Sequence, residues 1–76
     1  MRSQEIVVEF VGPDGVEREG ELIAALLEVP GVHEVRINRH EGRAIVTGDT
    51  ELAVPAALFE AVVRAGYEPG DVWFAE

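Results

Sequence analysis

Apolar residues alternate with polar ones in several short stretches of the chain, which is the pattern of half-buried β-strands. The first stretch covers residues 4–11 and is stopped by a Gly-Pro pair. Two more, Val32–Asn38 and 43–48, are separated by the tetrapeptide RHEG, which predicts a hairpin with Gly42 in its turn. A fourth, shorter stretch at residues 72–75 predicts a last strand.

Two other stretches carry apolar residues at helical spacing. The first helix is predicted to begin near Asp14, which with Glu17 has the spacing of a capping box, and to end at the Pro-Gly pair 30–31. The second is predicted to begin at Pro55 and to end at Gly66. The apolar stripes are Leu22, Ala25, Leu26 and Val29 in the first helix, and Leu58, Ala61, Val62 and Ala65 in the second.

The order of these elements, βαββαβ, predicts an α+β fold of the ferredoxin-like kind. In that fold a four-stranded antiparallel sheet carries two helices on one face. The 76 residues leave room for one domain, which we expect to span residues 1–76. Chain direction places the first loop, the RHEG turn and the loop after the second helix at one end of the molecule.

The composition of the chain excludes several classes of partner and functional site. Fifteen acidic and six basic residues give a net charge of −9, which repels phosphate backbones, so we expect no nucleic-acid partner. The chain has no cysteine, so it offers no disulfide, thiolate metal site or thiol nucleophile.

No apolar run is long enough for a membrane span, and the N-terminus lacks the pattern of a secretory signal, so we expect a cytoplasmic protein. The exclusive use of arginine as the basic residue suggests a prokaryotic and thermophilic source.

Four short motifs carry a resemblance to a known family. They are GPDGVER at 12–18, VPGV at 29–32, AIVTGD at 44–49 and AGY at 65–67. In this order and spacing the chain resembles the heavy-metal-associated domains of metal chaperones and transport ATPases, from about Ile6 to Val72. The resemblance implies the same ferredoxin-like fold, but the G-M-x-C-x-x-C sequence of the family's first loop is absent.

Counting back thirteen residues from Gly31 places the family's second cysteine position at Arg18, and its first at Gly15. Pro13 then stands where the family has methionine. The resemblance implies that the former metal-site loop consists of Gly12, Pro13, Asp14, Gly15 and Arg18, with Tyr67 beside it. We therefore expect no cofactor.

A metal site of different chemistry stays open as an alternative. His40, Asp14 and Glu17 could supply nitrogen and oxygen ligands that suit zinc or another divalent ion and do not suit Cu(I). His33 lies seven residues from His40 along an extended strand, so the two histidines cannot share an ion.

Catalysis is a further alternative, and the one that the sequence favours least. The string GPDGVER together with Asn38 superficially resembles the acylphosphatases, in which backbone amides and an arginine hold a phosphate. Asp14 and Glu17, however, place negative charge in the loop that would receive the anion. We expect that the chain is not an enzyme.

Protein binding is the function that the sequence favours. Strand alternation places Val7, Val11 and Ile45 on the sheet face away from the helices, ringed by Arg36 and Arg43. We expect Trp73 on the same face, but the alternation in its strand is too short to fix its direction. Aromatic residues and arginine are enriched at interfaces. We expect a small protein-interaction or regulatory module that binds a protein partner or a second copy of itself. An ACT-like regulator that binds a small molecule is an alternative.

Overall fold

The computed structural model describes residues 3–12, 16–49 and 55–75, with backbone alone at residues 3 and 16–18. The elements in these ranges are β1 (Ser3–Val11), α1 (Val16–Leu27), β2 (Val32–Asn38), β3 (Arg43–Asp49), α2 (Pro55–Arg64) and β4 (Glu68–Phe74). The strands pair antiparallel in the order β2-β3-β1-β4. This arrangement confirms the predicted ferredoxin-like α+β fold.

The core lies between the sheet and the two helices. Ile6 and Val8 of β1 and Val46 of β3 are fully buried beneath the apolar stripes of the helices. Each such side chain stabilises the fold by about 1.5–3 kcal/mol. The predicted stripe residues that reach this core are Leu22, Leu26, Val29, Leu58, Ala61, Val62 and Ala65, and the partly buried Ala25 packs against it. No helix in the described ranges is long and apolar enough to cross a membrane.

Strand β4 is longer than the sequence predicts, since it begins at Glu68 rather than at Val72. The start of β4 could not be predicted from the sequence, because Pro69 and Gly70 are not typical of a strand interior. The position at the edge of the sheet tolerates them, and the pairing of β4 with β1 is irregular between Val8 and Phe10.

The junction between α1 and β2 explains the PGV motif. The Val32 N–H donates to the Val29 carbonyl at 3.1 Å, and Gly31 has a φ of 90°. Proline at the second position and a left-handed glycine at the third are the signature of a type II turn. The Gly31 carbonyl also accepts the Asp49 N–H at 2.9 Å, so this turn is docked against the end of β3.

A glycine in β3 makes that close approach possible. A Cβ at Gly48 would lie 2.5 Å from the Gly31 carbonyl oxygen and 3.1 Å from Val32 Cα, both of which are backbone atoms. A Cβ at Gly20, in α1, would meet no atom within 4 Å other than those of its chain neighbours and the backbone of its own helix.

We predict opposite effects for alanine at these two glycines. Gly48→Ala should lower the free energy of unfolding by about 1–3 kcal/mol, because it forces β3 away from the turn. Gly20→Ala should raise it by about 0.5–1 kcal/mol, because alanine favours the helix. Urea unfolding followed by circular dichroism measures both values, and similar effects for the two variants would contradict this account of the turn.

Candidate functional site

Three segments meet at one end of the sheet: the end of β1, the turn between β2 and β3, and the residues after α2. The Phe10 N–H donates to the Gly42 carbonyl at 2.9 Å, which joins the first segment to the second. The Tyr67 ring packs edge-on against the Phe10 ring, with centroids 5.2 Å apart and an interplanar angle of 86°. This contact joins the third segment to the first.

The end of α2 determines where Tyr67 lies. The Gly66 N–H donates to the Val63 carbonyl at 3.0 Å and the Tyr67 N–H to the Val62 carbonyl at 3.1 Å. These two bonds, with Gly66 at a φ of 90°, form a Schellman motif. The glycine of the AGY motif therefore ends the helix, and the motif turns the buried Tyr67 ring toward the first loop.

Tyr67 also packs directly against the backbone of Gly12. A Cβ at Gly12 would overlap Cδ2 of the ring and lie 3.0 Å from Cγ. Gly42 is restricted in a similar way, because its φ is 66° and a Cβ there would lie 3.0 Å from the Phe10 carbonyl oxygen. We call the group Phe10, Gly12, Gly42 and Tyr67 the Tyr67 junction.

An ion pair connects α1 to the turn between β2 and β3. Arg39 Nε lies 2.7 Å from Glu19 Oε2, in the first turns of α1. That oxygen is buried and accepts no hydrogen bond, so the contact has the distance of an ion pair without the alignment of a hydrogen bond. Glu19 also places negative charge near the helix N-terminus, where the helix dipole stabilises it.

The structure brings together only part of the predicted loop. Gly12 and Tyr67 are in contact, whereas Pro13, Asp14 and Gly15 and the side chains of Glu17 and Arg18 lie outside the described residues. His40 is exposed in the turn after β2, and His33 is exposed in that strand. The part of the chain that the structure describes holds no group of three or more His, Cys, Asp or Glu side chains arranged to bind a metal.

The donors of this chain do not fit a metal held by thiolates. The sequence has no cysteine, and the described donors at this end include the His40 imidazole, which lines a surface depression together with Glu19. Nitrogen and carboxylate donors suit hard or borderline divalent ions and do not suit Cu(I).

The sheet face away from the helices is less open than its residue types suggest. Val7 lies there between Ile45 and Trp73, and only 7% of its surface is exposed. Trp73 is 38% exposed, and the Arg43 guanidinium lies 5.4 Å from the centre of its ring. Val11, at the end of β1, is 70% exposed.

Ion pairs surround this apolar centre. Arg36 lies 3.3 Å from Glu5, and Arg43 lies 3.5 Å from Glu9 and 3.8 Å from Glu41. All of these side chains are at least one-third exposed, so each pair contributes about 0–1 kcal/mol. Both arginines that the sequence places around this face therefore have acidic neighbours within the chain.

Sequence reasoning missed a second apolar surface, between α2 and β4. Phe59 and Val63 of α2 and Phe74 of β4 are large apolar residues with about half of their surface exposed. The sequence does contain an indication of this surface, because Phe59 and Val63 are apolar but lie outside the buried stripe of α2.

We predict that Gly12→Ala destabilises the protein by about 1–3 kcal/mol, because the new methyl group overlaps the Tyr67 ring. In a Tyr67→Ala background the same substitution should cost much less, since the ring is gone. Unfolding free energies of the two single variants and the double variant measure this coupling. Additive effects would show that Gly12 and Tyr67 do not depend on each other.

The solved structures that resemble this chain share its fold. The N-terminal domain of PacS from Synechocystis PCC6803 is 27% identical with a TM-score of 0.76, over 96% of this chain and 98% of that one. A protein solved in work on crosstalk between Cu(I) and Zn(II) homeostasis is 31% identical with a TM-score of 0.75, over 88% and 96%. Oxidized MerP from Ralstonia metallidurans CH34 is 21% identical with a TM-score of 0.81, over 99% and 100%.

Sequence comparison identifies the family. Comparison with curated proteins gives no match. The family model described as "Heavy-metal-associated domain" matches residues 19–68, which is more than half of the chain, and includes the PGV and AGY motifs. The chain therefore belongs to the heavy-metal-associated domain family.

Proposed function

We propose that this chain is a non-enzymatic protein-interaction or regulatory module, built on the heavy-metal-associated fold without its thiolate metal site. The observation that carries the proposal is the combination of a complete fold with the loss of the family's ligands. Counting back from the PGV turn puts the family's two cysteine positions at Gly15 and Arg18. The Tyr67 junction closes the same end of the molecule by packing.

Copper transfer between family members requires ligands that exchange Cu(I), and this chain has no thiolate to offer. A divalent ion held by His40, Asp14 and Glu17 is the alternative. Its support is that His40 lies beside α1, the helix that follows this loop, across the depression lined by Glu19.

A hydrolase of the acylphosphatase kind has less support. Asn38, which would orient water in such an enzyme, donates its side-chain N–H to Glu41 Oε1 at 3.2 Å. The Asn38 amide is thus already bonded to a carboxylate, and the negative charge of Glu41 repels an incoming phosphate.

The sheet face away from the helices is the interface that we propose. Trp73, Val11 and Ile45 supply apolar surface there, and the rim of Arg–Glu pairs supplies groups that could exchange partners. The net charge of −9 favours a basic partner over a second copy. We infer further that the module is one domain spanning residues 1–76 and acts in the cytoplasm.

Native mass spectrometry tests the metal side of this proposal. We predict that the purified protein binds none of Zn²⁺, Cu⁺ and Ni²⁺ when each is added at one equivalent. The chain has no thiolate for Cu⁺, and its described residues hold no group of three or more His, Cys, Asp or Glu side chains that could bind Zn²⁺ or Ni²⁺. A bound ion that His40→Ala removes would support the alternative metal site and contradict the proposal. The same spectra report whether the protein is a monomer or a dimer.

The interface has its own test, in the double variant Val11→Ser/Trp73→Ser. Both side chains are partly exposed, so the fold should survive, while any association through the sheet face should weaken about 10-fold or more. Association can be measured by sedimentation for a dimer or by titration with a purified partner. Leu27→Ser is the control, because Leu27 is exposed on α1, on the other side of the sheet. An equal loss in both variants would contradict the proposed interface.

A further inference from the structure

A groove runs between the first half of α2 and strand β4. Pro55, Ala56 and Phe59 line it from the helix, and Val72 lines it from the strand. Its volume is about 480 Å³, and it is open to solvent along one side. Phe59 leaves 45% of its surface exposed although its neighbour Leu58 is fully buried.

The apolar surface continues beyond the groove in both elements. Val63 follows Phe59 by one turn of α2, about 6 Å along the helix axis. Phe74 follows Val72 on the same face of β4, about 7 Å along the strand. Both are about half exposed, so the surface is elongated rather than confined to one pocket.

Among the described residues, the two charged ones that line the groove are acidic. Glu60 contributes from α2 and Asp71 from β4, on the two sides of the groove. The chain as a whole carries −9, so the field around the groove reinforces these two carboxylates. An occupant needs apolar side chains for the floor and positive charge for the sides.

We propose that this groove is the docking site for a cationic amphipathic segment of another protein, with apolar side chains against Phe59 and Val72 and Lys or Arg beside Glu60 and Asp71. The inference rests on the proposed interaction function and names the partner's chemistry. It assigns the contact to a surface separate from the face that holds Trp73.

Charge decides between this occupant and a second copy of the chain. Two copies that met at their grooves would bring two charges of −9 together and place like carboxylates near each other. A segment with basic residues avoids that repulsion, and its positive charges can form ion pairs with Glu60 and Asp71. The open, elongated shape suits an extended or helical segment, which binds by seating an apolar face in a groove.

The experiment uses three synthetic peptides of about 15 residues, long enough to form a helix on binding. One is composed of Leu and Lys in an amphipathic pattern, the second has Glu in place of Lys, and the third has Ser in place of Leu. Titration of the ¹⁵N-labelled protein by NMR locates the contact. Fluorescence anisotropy of the labelled peptides gives the dissociation constant.

We expect the Leu/Lys peptide alone to bind saturably and to shift the amides of Ala56, Phe59 and Val72. Phe59→Ser should weaken binding about 5-fold or more, while Leu27→Ser, at a site of equal 45% exposure on α1, should leave it within about 2-fold. The charge variant Glu60→Gln/Asp71→Asn should weaken binding more than Glu28→Gln/Glu34→Gln, which removes the same charge elsewhere.

Several results would overturn the inference. They are absence of binding, equal binding of the Glu peptide or the Ser/Lys peptide, an equal effect of the two charge variants, or self-association that Phe59→Ser abolishes. Shifts confined to Val11 and Trp73 would also overturn it while leaving the proposed sheet-face interaction intact. Failure of the peptide in a protein that still associates through that face therefore refutes the groove alone.

Discussion

The packing of the Tyr67 ring against Gly12 is the contact on which the candidate site depends. The Schellman motif at the end of α2 fixes where the ring lies, and the absence of a side chain at Gly12 lets the first loop approach it. Phe10 then connects both to the turn that contains Gly42. Three segments that the family arranges around a metal are thus held by side-chain packing and backbone hydrogen bonds. Because this packing needs no coordination bond, the fold can persist after the ligands are lost.

The distribution of charge determines what such a module could bind. Arg36, Arg39 and Arg43 lie against glutamates of the same chain, so much of the described positive charge is compensated internally. The charge that is left uncompensated is negative, since the chain has fifteen acidic and six basic residues. The sheet face offers Trp73 inside a ring of ion pairs, whereas the groove along α2 offers Phe59 between two acidic residues, with no basic residue among the described ones that line it. The two surfaces lie on different sides of the molecule.

The sequence predicts most of this fold because the alternation and helical spacing are regular and the turns carry diagnostic glycines. The hairpin turn at Gly42 and the helix end at Gly66 follow from residue type. The start of β4 does not, because Pro69 and Gly70 interrupt its pattern and only the pairing with β1 reveals the strand. Burial of Val7 was also hidden, since it depends on how Ile45 and Trp73 lie beside it across the sheet. The groove at Phe59 needs the distance between α2 and β4, which no local pattern contains.

Amide hydrogen exchange at Phe10, Gly42 and Tyr67 tests the central claim that packing, rather than a metal, holds this end of the molecule together. Each of these N–H groups donates a backbone hydrogen bond in the structure. The account predicts that their protection factors are the same in the presence of a chelator as in the presence of excess Cu⁺ or Zn²⁺, since no coordination bond contributes to the Tyr67 junction. Protection that increases with metal at these three amides and nowhere else would contradict it.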